Sequence, residues 1–157
     1  MKKIRTQPFV VVRTFIEDRG KFLMVQENWG KVKGMWNFPA GWLDLGEDPM
    51  DGAIREAKEE CGYDFKPDYL LGVYSFNMIK AVEADHPVEI VYRGSVSGEA
   101  DAVDPEEISD VRWFTPEEIM AMDTKTLRDD FTKGMLKDYL AGKKYPLEMI
   151  SHASLKN

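Results

Sequence analysis

The stretch from Gly41 to Tyr63, GWLDLGEDPMDGAIREAKEECGY, places the tightest constraint on what this chain can fold into. Asp48 and Pro49 form a helix-start signal, because an aspartate side chain caps the first turn and the proline ring is preset for the first helical position. Cys61 and Gly62 form an end signal, since glycine readily takes the left-handed conformation of a C-terminal cap. The stretch therefore predicts a short acidic loop, a helix and a sharp turn.

Three glutamates share one face of this predicted helix. Glu56, Glu59 and Glu60 are spaced i, i+3 and i+4, which places their carboxylates within one turn of each other. Like charges at these spacings destabilise a helix by about 0.2–0.5 kcal/mol per pair. A solvated acidic surface is the simple interpretation, and a site for a hard dication such as Mg²⁺ is the functional one. Arg55 lies four residues before Glu59 and can hold that carboxylate in place.

The rest of the chain predicts a mixed β-sheet covered by helices. Runs rich in valine, isoleucine and aromatic residues predict strands at Phe9–Ile16, Lys21–Glu27, Trp36–Phe38, Tyr69–Asn77, Val88–Ser97 and Val111–Phe114. The segments Met78–Pro87 and Gly98–Asp110 are predicted to be loops. Helices are predicted after the capping box that starts at Thr115, and over Leu127–Leu140. This order of strands, helix, strands and helices favours an α/β fold.

Length, charge and cysteine content limit the partners of the chain. With 157 residues, the chain is predicted to form one domain over residues 1–157. The net charge of −7 and the lack of a basic stripe argue against nucleic acid and against an anionic membrane as partners. Cys61 is the one cysteine, and the apolar run near the N-terminus is too short for a signal segment. We therefore expect a cytoplasmic protein, either a monomer or a homodimer.

Gly41, Glu47 and the run from Arg55 to Tyr63, REAKEECGY, resemble the Nudix box in full. That box is a glycine, a glutamate, an REUxEE run and a GU ending, where U is a bulky apolar or small aliphatic residue. The sequence before it is similar to the family's W-x-x-P-G-G, except that Ala40 replaces one glycine. The resemblance implies the Nudix α/β/α sandwich, with a mixed sheet and the box as a loop–helix–loop. It also implies hydrolysis of a nucleoside diphosphate linked to another moiety, by attack of water at phosphorus.

The same resemblance implies a divalent-metal site, with Mg²⁺ or Mn²⁺ as the cofactor. By their positions in the box, Glu56 and Glu60 are the main metal ligands, and Glu59 is a further ligand or the general base. The Gly41 carbonyl is implied as another ligand. Arg55 is implied to orient Glu59.

Other acidic residues have less definite roles. The resemblance implies that Glu47 braces the loop of the box, although an ordinary loop carboxylate is an equal alternative, and that Gly62 is structural. Members of the family place the general base either in the box or on a mobile loop near the last strand. The corresponding loop here is Asp104–Glu107. We hypothesise that Glu107 is the base or an extra metal ligand, the alternative being an exposed acidic loop.

Aromatic and basic residues outside the box are candidates for substrate binding. Trp29, Trp36 and Phe38 precede the box, and an aromatic ring can stack on a nucleobase or pyrimidine. Packing in the core is the commoner fate of such residues, especially for Trp36 and Phe38. Arg13 and Arg93 lie within predicted strands, where a guanidinium can face a polyphosphate or solvent.

The C-terminal region narrows the expected substrate. The tail Lys144–Ile150, which follows the last predicted helix, resembles the C-terminus of small bacterial Nudix phosphatases. These act on nucleoside tri- and diphosphates and on the pyrophosphorylated pyrimidine precursor of thiamine, so the resemblance implies a nucleoside or pyrimidine pyrophosphate as the small-molecule substrate. A pyrophosphatase for ADP-ribose or oxidised nucleotides is one alternative. A non-catalytic nucleotide sensor is another, although degenerate members commonly lose a box glutamate and this chain keeps all of them.

Overall fold

The fold is a branched mixed β-sheet with helices on both faces. The computed structural model describes residues 8–76, 78–80 and 83–153. The strands are β1 Phe9–Asp18, β2 Lys21–Glu27, β3 Trp36–Asn37, β4 Ala40–Trp42, β5 Asp64–Ser75, β6 Met78–Lys80, β7 Glu83–Asp85, β8 Pro87–Ser97 and β9 Ile108–Phe114. The helices are α1 Pro49–Cys61, α2 Pro116–Ala121 and α3 Phe131–Leu140, and short 3-10 turns lie at Gly30–Val32, Thr124–Thr126 and Leu147–Met149.

The main sheet branches where β1 and β2 separate. In the described part of the chain, these two strands pair only next to their shared turn, at Glu17 with Phe22 and Asp18 with Lys21. Beyond the turn, β1 lies between β4 and the parallel strand β8, and β5 follows antiparallel to β8. Strand β2 lies between the antiparallel strands β3 and β9. The two branches therefore diverge toward Glu27, at the end of β2, and the predicted mixed sheet is confirmed.

Each face of the sheet has its own hydrophobic core, because side chains alternate along a strand. On one face, Val12 and Ile16 pack with Ala53, Ala57 and Cys61 of α1. The other face packs with α2 and α3 through a second cluster, which includes Phe15, Phe22, Ile119, Met135 and Leu136. The expected arrangement of helices on both sides of a sheet, an α/β sandwich, is confirmed. Within the described residues, no helix has the length and apolar composition needed to cross a bilayer.

Three elements begin three to five residues away from their predicted starts. Strand β5 begins at Asp64 and not at Tyr69, because a register shift between Pro67 and Tyr69 accommodates the proline within the strand. Strand β9 begins at Ile108 and not at Val111. Helix α3 begins at Phe131, and Leu127 lies outside it in an extended conformation as a buried core residue.

Three of the observed strands, β4, β6 and β7, are absent from the prediction. Ala40–Trp42 forms strand β4, which is short and depends on pairing with β1. Met78–Pro87 is not a loop, because Met78–Lys80 and Glu83–Asp85 pair as a hairpin and Pro87 begins β8. Asn77, the last residue of a predicted strand, lies outside the described residues, as do residues 1–7 of the N-terminal segment.

Candidate active site

Helix α1 carries the three glutamates, and the predicted caps are present at both of its ends. The N–H of Met50 donates a hydrogen bond of 2.8 Å to Asp48 Oδ1. At the other end, Gly62 has a φ of 77°, and its N–H donates to the Lys58 carbonyl at 3.0 Å. The helix packs against β1, β4 and β5. These contacts set the position of the glutamate face beside β4.

Gly41 in β4 leaves the space that the Glu56 carboxylate occupies. Glu56 is 9% exposed, and a Cβ at Gly41 would overlap all three atoms of the Glu56 carboxyl group. The φ of Gly41 lies outside the left-handed region, so this position requires glycine for space and not for backbone conformation. Gly41, the first residue of the box, is therefore in contact with Glu56 in the helical part of the box.

The Arg55 guanidinium is the hub of the box. It donates to both oxygens of Glu47, at 2.8 and 3.0 Å, and to Glu56 Oε1 at 2.6 Å. It reaches Glu59 Oε2 at 3.2 Å and the Trp42 carbonyl at 3.1 Å. The hydrogen bond to Glu47, ahead of the one to Glu56, holds the pKa of Arg55 above its ordinary value despite partial burial. The expected contact with Glu59 is present, but Arg55 is bound more closely by Glu47 and Glu56.

Glu47 connects the loop of the box to its helix. Besides Arg55, it accepts a hydrogen bond of 3.0 Å from the N–H of Asp44. A Cβ at Gly52 would lie 2.8 Å from Glu47 Oε2, so glycine in the first turns of α1 allows the close approach. The Arg55 hydrogen bonds lower the pKa of Glu47, which keeps its carboxylate ionised. This geometry agrees with the bracing role that the resemblance implies.

Among the described carboxylates, Glu60 has the most strongly shifted pKa. It accepts a hydrogen bond of 2.9 Å from the N–H of Ala40 in β4. Burial raises the pKa of Glu60 to about 8, and the charges of Glu27 and Glu56 add to the increase. Burial also raises the pKa of Glu56, although Arg55 acts in the opposite direction. Burial therefore disfavours the negative charge of both carboxylates, and a nearby cation would offset that cost.

The oxygen donors at β4 suit a hard divalent cation. Glu56 contacts Gly41, and Glu60 binds the neighbouring residue Ala40, so the candidate ligands gather at one point of the sheet. Among the described residues, no group of three acidic, histidine or cysteine side chains is already arranged for metal binding. Instead, Glu56 is held by the Arg55 guanidinium, and Glu60 is held by the Ala40 amide. A cation at this point would take up carboxylate oxygens that these donors hold.

A buried polar network lies next to these carboxylates, and sequence reasoning missed most of it. Arg13 donates to both oxygens of Glu89, at 2.7 and 3.0 Å, and also to Asn37 Oδ1. Asn37 Nδ2 donates to Glu27 Oε1 at 3.1 Å, and Arg128 Nη1 donates to Glu27 Oε2 at 2.8 Å. Arg13 is 3% exposed and Glu27 is 5% exposed. The network spans the gap between the two branches of the sheet, so it fixes their relative position.

Three predicted candidates for substrate binding are engaged in other contacts. Arg93 is held by ion pairs with Glu17 and Asp68, and in the described part of the chain none of its ion pairs is with a box residue. Phe38 is fully buried in the core beside α2 and α3. Trp36 packs edge-to-face against Phe114, with ring centres 4.8 Å apart, and against this core.

Glu107 and Trp29 lie beside the end of strand β2. The loop that carries Glu107 is attached to β2, because the N–H of Asn28 donates to the Glu107 carbonyl at 2.8 Å and Ile108 pairs with Glu27. Glu107 is exposed. Trp29 is 51% exposed and is the most accessible of the three predicted aromatic candidates. Both residues therefore lie close in the chain, or by pairing, to the Glu27 end of β2.

Comparisons with known proteins agree with this geometry. The sequence profile of the NUDIX domain matches residues 6–135. Phosphatase NudJ from Escherichia coli strain K12 is 29% identical over 147 residues, which are 92% of this chain and 91% of that protein. The structure of a NUDIX hydrolase from Nitrosomonas europaea is 30% identical, covers 94% of this chain and 98% of its own, and superimposes with a TM-score of 0.81.

A more distant structure shares the fold alone. The NUDIX domain of Shewanella oneidensis NrtR, described as a cocrystal structure complexed with ADP ribose, is 20% identical to this chain. It covers 87% of this chain and 85% of its own, with a TM-score of 0.67.

Proposed function

Since the chain belongs to the Nudix family of hydrolases, we propose that it hydrolyses a phosphoanhydride bond in a nucleoside di- or triphosphate or a related pyrophosphate, with Mg²⁺ or Mn²⁺ as the cofactor. Pyrophosphate hydrolysis is the general activity of this family, whose members generally use divalent metals. Water attacks phosphorus, the P–O bond to the leaving phosphate breaks, and the water proton passes to a carboxylate.

The contact between Gly41 and Glu56 is the observation that supports this proposal most directly. A carboxylate that fills the space of a missing side chain, beside a second carboxylate with raised proton affinity, is an arrangement suited to cation binding. Glu56, Glu60 and the Gly41 carbonyl would hold the metal. When bound, the ion supplies positive charge that stabilises phosphate oxygens and lowers the pKa of water.

The other box residues have two roles: one orients the carboxylates, and one accepts the proton of the attacking water. Arg55 holds Glu47, Glu56 and Glu59 in fixed relative positions through its hydrogen bonds. The Glu59 side chain is 55% exposed, so it is accessible to water, and we propose it as the general base. Glu107 is the alternative base. If Glu59 is the base, Glu59→Gln lowers kcat by about 10²–10⁴-fold while Glu107→Gln leaves it near the wild-type value, and the reverse result assigns the role to Glu107.

The proposed substrates are nucleoside tri- and diphosphates and the pyrophosphorylated pyrimidine precursor of thiamine. The similarity to Phosphatase NudJ over most of the chain supports a phosphatase of this type. The tail Lys144–Ile150 adds the resemblance to small bacterial Nudix phosphatases. ADP-ribose is the first alternative, because a domain of the same fold is described in complex with it.

The test is release of phosphate and pyrophosphate over a substrate panel, with Mg²⁺, with Mn²⁺ and with EDTA. The panel contains nucleoside di- and triphosphates, oxidised nucleotides, thiamine-type pyrophosphates, ADP-ribose and a dinucleoside polyphosphate. We expect turnover that depends on the metal and is lost in Glu60→Gln. Glu117→Gln is a matched control, because Glu117 is an exposed helix residue in α2. Thermal stabilisation by a panel compound without any turnover would instead support a nucleotide sensor.

The domain content, compartment and oligomeric state of the enzyme are also proposed. We propose one catalytic domain over residues 1–157, in the cytoplasm, where the buried thiol of Cys61 stays reduced. Light scattering of the purified protein distinguishes the predicted monomer from the predicted homodimer.

A further inference from the structure

Trp29 and Arg128 form a side-chain pair next to Glu27, the last residue of β2. The Arg128 guanidinium lies 5.2 Å from the centre of the Trp29 indole ring. Trp29 is 51% exposed, and the Arg128 side chain is 32% exposed. A tryptophan ring with an adjacent guanidinium offers both a stacking surface and hydrogen-bond donors. The pair therefore has the composition of a surface that binds a planar ring.

The backbone and side chain of Arg128 are both held in place. Leu127 is 2% exposed and forms a β-bridge with Trp36, and the N–H of Arg128 donates to the Trp36 carbonyl at 2.9 Å. On the other side, Arg128 Nη1 donates to the buried carboxylate of Glu27 at 2.8 Å. Because the guanidinium is already ordered, a ligand that contacts it loses little additional conformational entropy.

The loop that carries Trp29 is also fixed at its base. The N–H of Asn28 donates to the Glu107 carbonyl at 2.8 Å, and Asn28 Nδ2 donates to the Pro105 carbonyl at 2.6 Å. The N–H of Gly34 donates to the Glu27 carbonyl at 2.7 Å, which closes the loop. The tryptophan is therefore presented from a closed loop and not from a free chain end.

Glu27 connects this pair to the candidate catalytic carboxylates. One oxygen of Glu27 binds Arg128, and the other accepts from Asn37. Asn37 lies three residues before Ala40, whose N–H donates to Glu60 Oε2 at 2.9 Å, so Glu27 and Glu60 are linked through the short segment from β3 to β4. A substrate with its phosphates at Glu56 and Glu60 can therefore extend its organic part toward Trp29.

Arg128 keeps donors for a ligand. Among the described residues, its side chain makes one hydrogen bond, from Nη1 to Glu27. A guanidinium has five N–H donors, so most of them remain available to oxygen or nitrogen acceptors of a bound molecule. The surrounding protein is acidic, with a net charge of −7, and a local guanidinium offsets that repulsion for a negatively charged substrate.

We propose that Trp29 and Arg128 bind the planar ring of the pyrophosphate substrate. The ring stacks on the indole, and Arg128 donates hydrogen bonds to acceptor atoms of the same molecule. This assignment rests on the proposed function, because it takes the phosphates to bind at Glu56 and Glu60. It makes Trp29 and Arg128 specificity-determining residues, which select for substrates that carry a ring.

The test compares two kinds of ligand that the enzyme cannot hydrolyse, one with a nucleoside and one without. The α,β-methylene analogues of ADP and UDP each carry a ring, and methylene diphosphonate has the same P–C–P unit without one. Dissociation constants are measured by isothermal titration calorimetry in Mg²⁺. We expect Trp29→Leu to raise the Kd of at least one nucleoside analogue by about 10-fold or more, since stacking on an aromatic ring contributes about 1–3 kcal/mol per base. The Kd of methylene diphosphonate is expected to change by less than about 2-fold.

Conservative variants separate ring binding from a general effect on folding. Trp29→Phe keeps an aromatic surface, so its Kd values are expected to stay within about 3-fold of wild type. Arg128→Lys keeps a positive charge for Glu27 but loses the planar guanidinium, and it is expected to weaken the nucleoside analogue selectively. Leu140→Ala is the control, because Leu140 is 59% exposed at the end of α3 and has no place in the candidate site. In this control we expect the ratio between the Kd of each nucleoside analogue and that of methylene diphosphonate to be unchanged.

Two results contradict the assignment. One is a wild-type protein that binds neither nucleoside analogue more tightly than methylene diphosphonate. The other is a Trp29→Leu variant that retains the wild-type ratio of Kd values. These results are independent of turnover. A protein with the expected Kd pattern but without hydrolysis on the panel would refute the proposed function and leave the ring site in place, whereas turnover without the pattern would do the opposite.

Discussion

The replacement Gly41→Ala tests the contact on which the candidate site depends. A methyl group at this position would overlap the Glu56 carboxyl group, so the carboxylate has to rotate away or β4 has to shift. Strand β4 is paired with β1 at Val12 and Arg13, which opposes a shift of its backbone. We therefore expect Glu56 to move.

The cost of that movement can be worked out from the contacts of Glu56. Rotation breaks the 2.6 Å hydrogen bond from Arg55 Nη1, and a hydrogen bond to a charged group contributes about 1.5–3 kcal/mol. We expect the free energy of unfolding to fall by about that amount. A catalytic group displaced by about 1 Å can cost about 10²-fold in rate, so kcat is expected to fall by at least about 10²-fold.

A double-mutant cycle shows whether the effect passes through Glu56. Urea unfolding without metal and kcat with Mg²⁺ are measured for wild type, Gly41→Ala, Glu56→Ala and the double variant. In the Glu56→Ala background the added methyl group has no carboxylate to displace, so Gly41→Ala is expected to have little further effect on either quantity. Equal losses from Gly41→Ala in both backgrounds would refute this reasoning and place the effect in β4 itself.

Three further predictions follow from the contacts of the box. Arg55→Lys keeps the charge but cannot donate to both oxygens of Glu47, so kcat is expected to fall by at least about 10-fold and the melting temperature to decrease; unchanged values would exclude the bracing role. Because the folded-state pKa of Glu60 is raised from 4.5 to about 8, the metal-free protein should lose stability as pH rises through that range. Melting curves with EDTA should show this slope, and Glu60→Gln or added Mg²⁺ should reduce it; the same slope in Glu60→Gln would assign it to other groups. Gly62→Ala should destabilise the protein more than Gly142→Ala in urea unfolding, because both glycines have a φ of 77° but only a Cβ at Gly62 would meet neighbouring backbone atoms; equal losses would show that backbone strain alone matters.

Local signals account for the parts of the structure that were predicted well. Helix α1 begins after Asp48 and ends before Gly62, as expected, since capping depends on residues within a few positions of each helix end. The capping box at Thr115 is confirmed for the same reason, with Glu118 N–H donating to Thr115 Oγ1 and Thr115 N–H donating to Glu118 Oε2. In both cases the residues that form the cap lie within the same short segment that shows the sequence pattern.

Features that depend on distant partners were missed. Glu27 and Arg128 are 101 positions apart, and no periodicity or spacing relates them. Leu127 has an apolar side chain that fits a helical pattern, but its bridge to Trp36 holds it extended before α3. Strand β4 has too few residues to show an alternating hydrophobic pattern, and it forms a strand because it pairs with β1.

The hydrogen bonds of Arg55 explain how three glutamates can share one face of a helix. Three carboxylates within one turn repel each other, and the Arg55 guanidinium offsets this repulsion by binding both Glu56 and Glu59. Two further hydrogen bonds to Glu47 anchor the guanidinium from the loop side. Because of this anchor, we expect Arg55 to keep its position if a cation takes up Glu56. We therefore propose that Glu47 contributes to the reaction through Arg55 and is not itself a metal ligand.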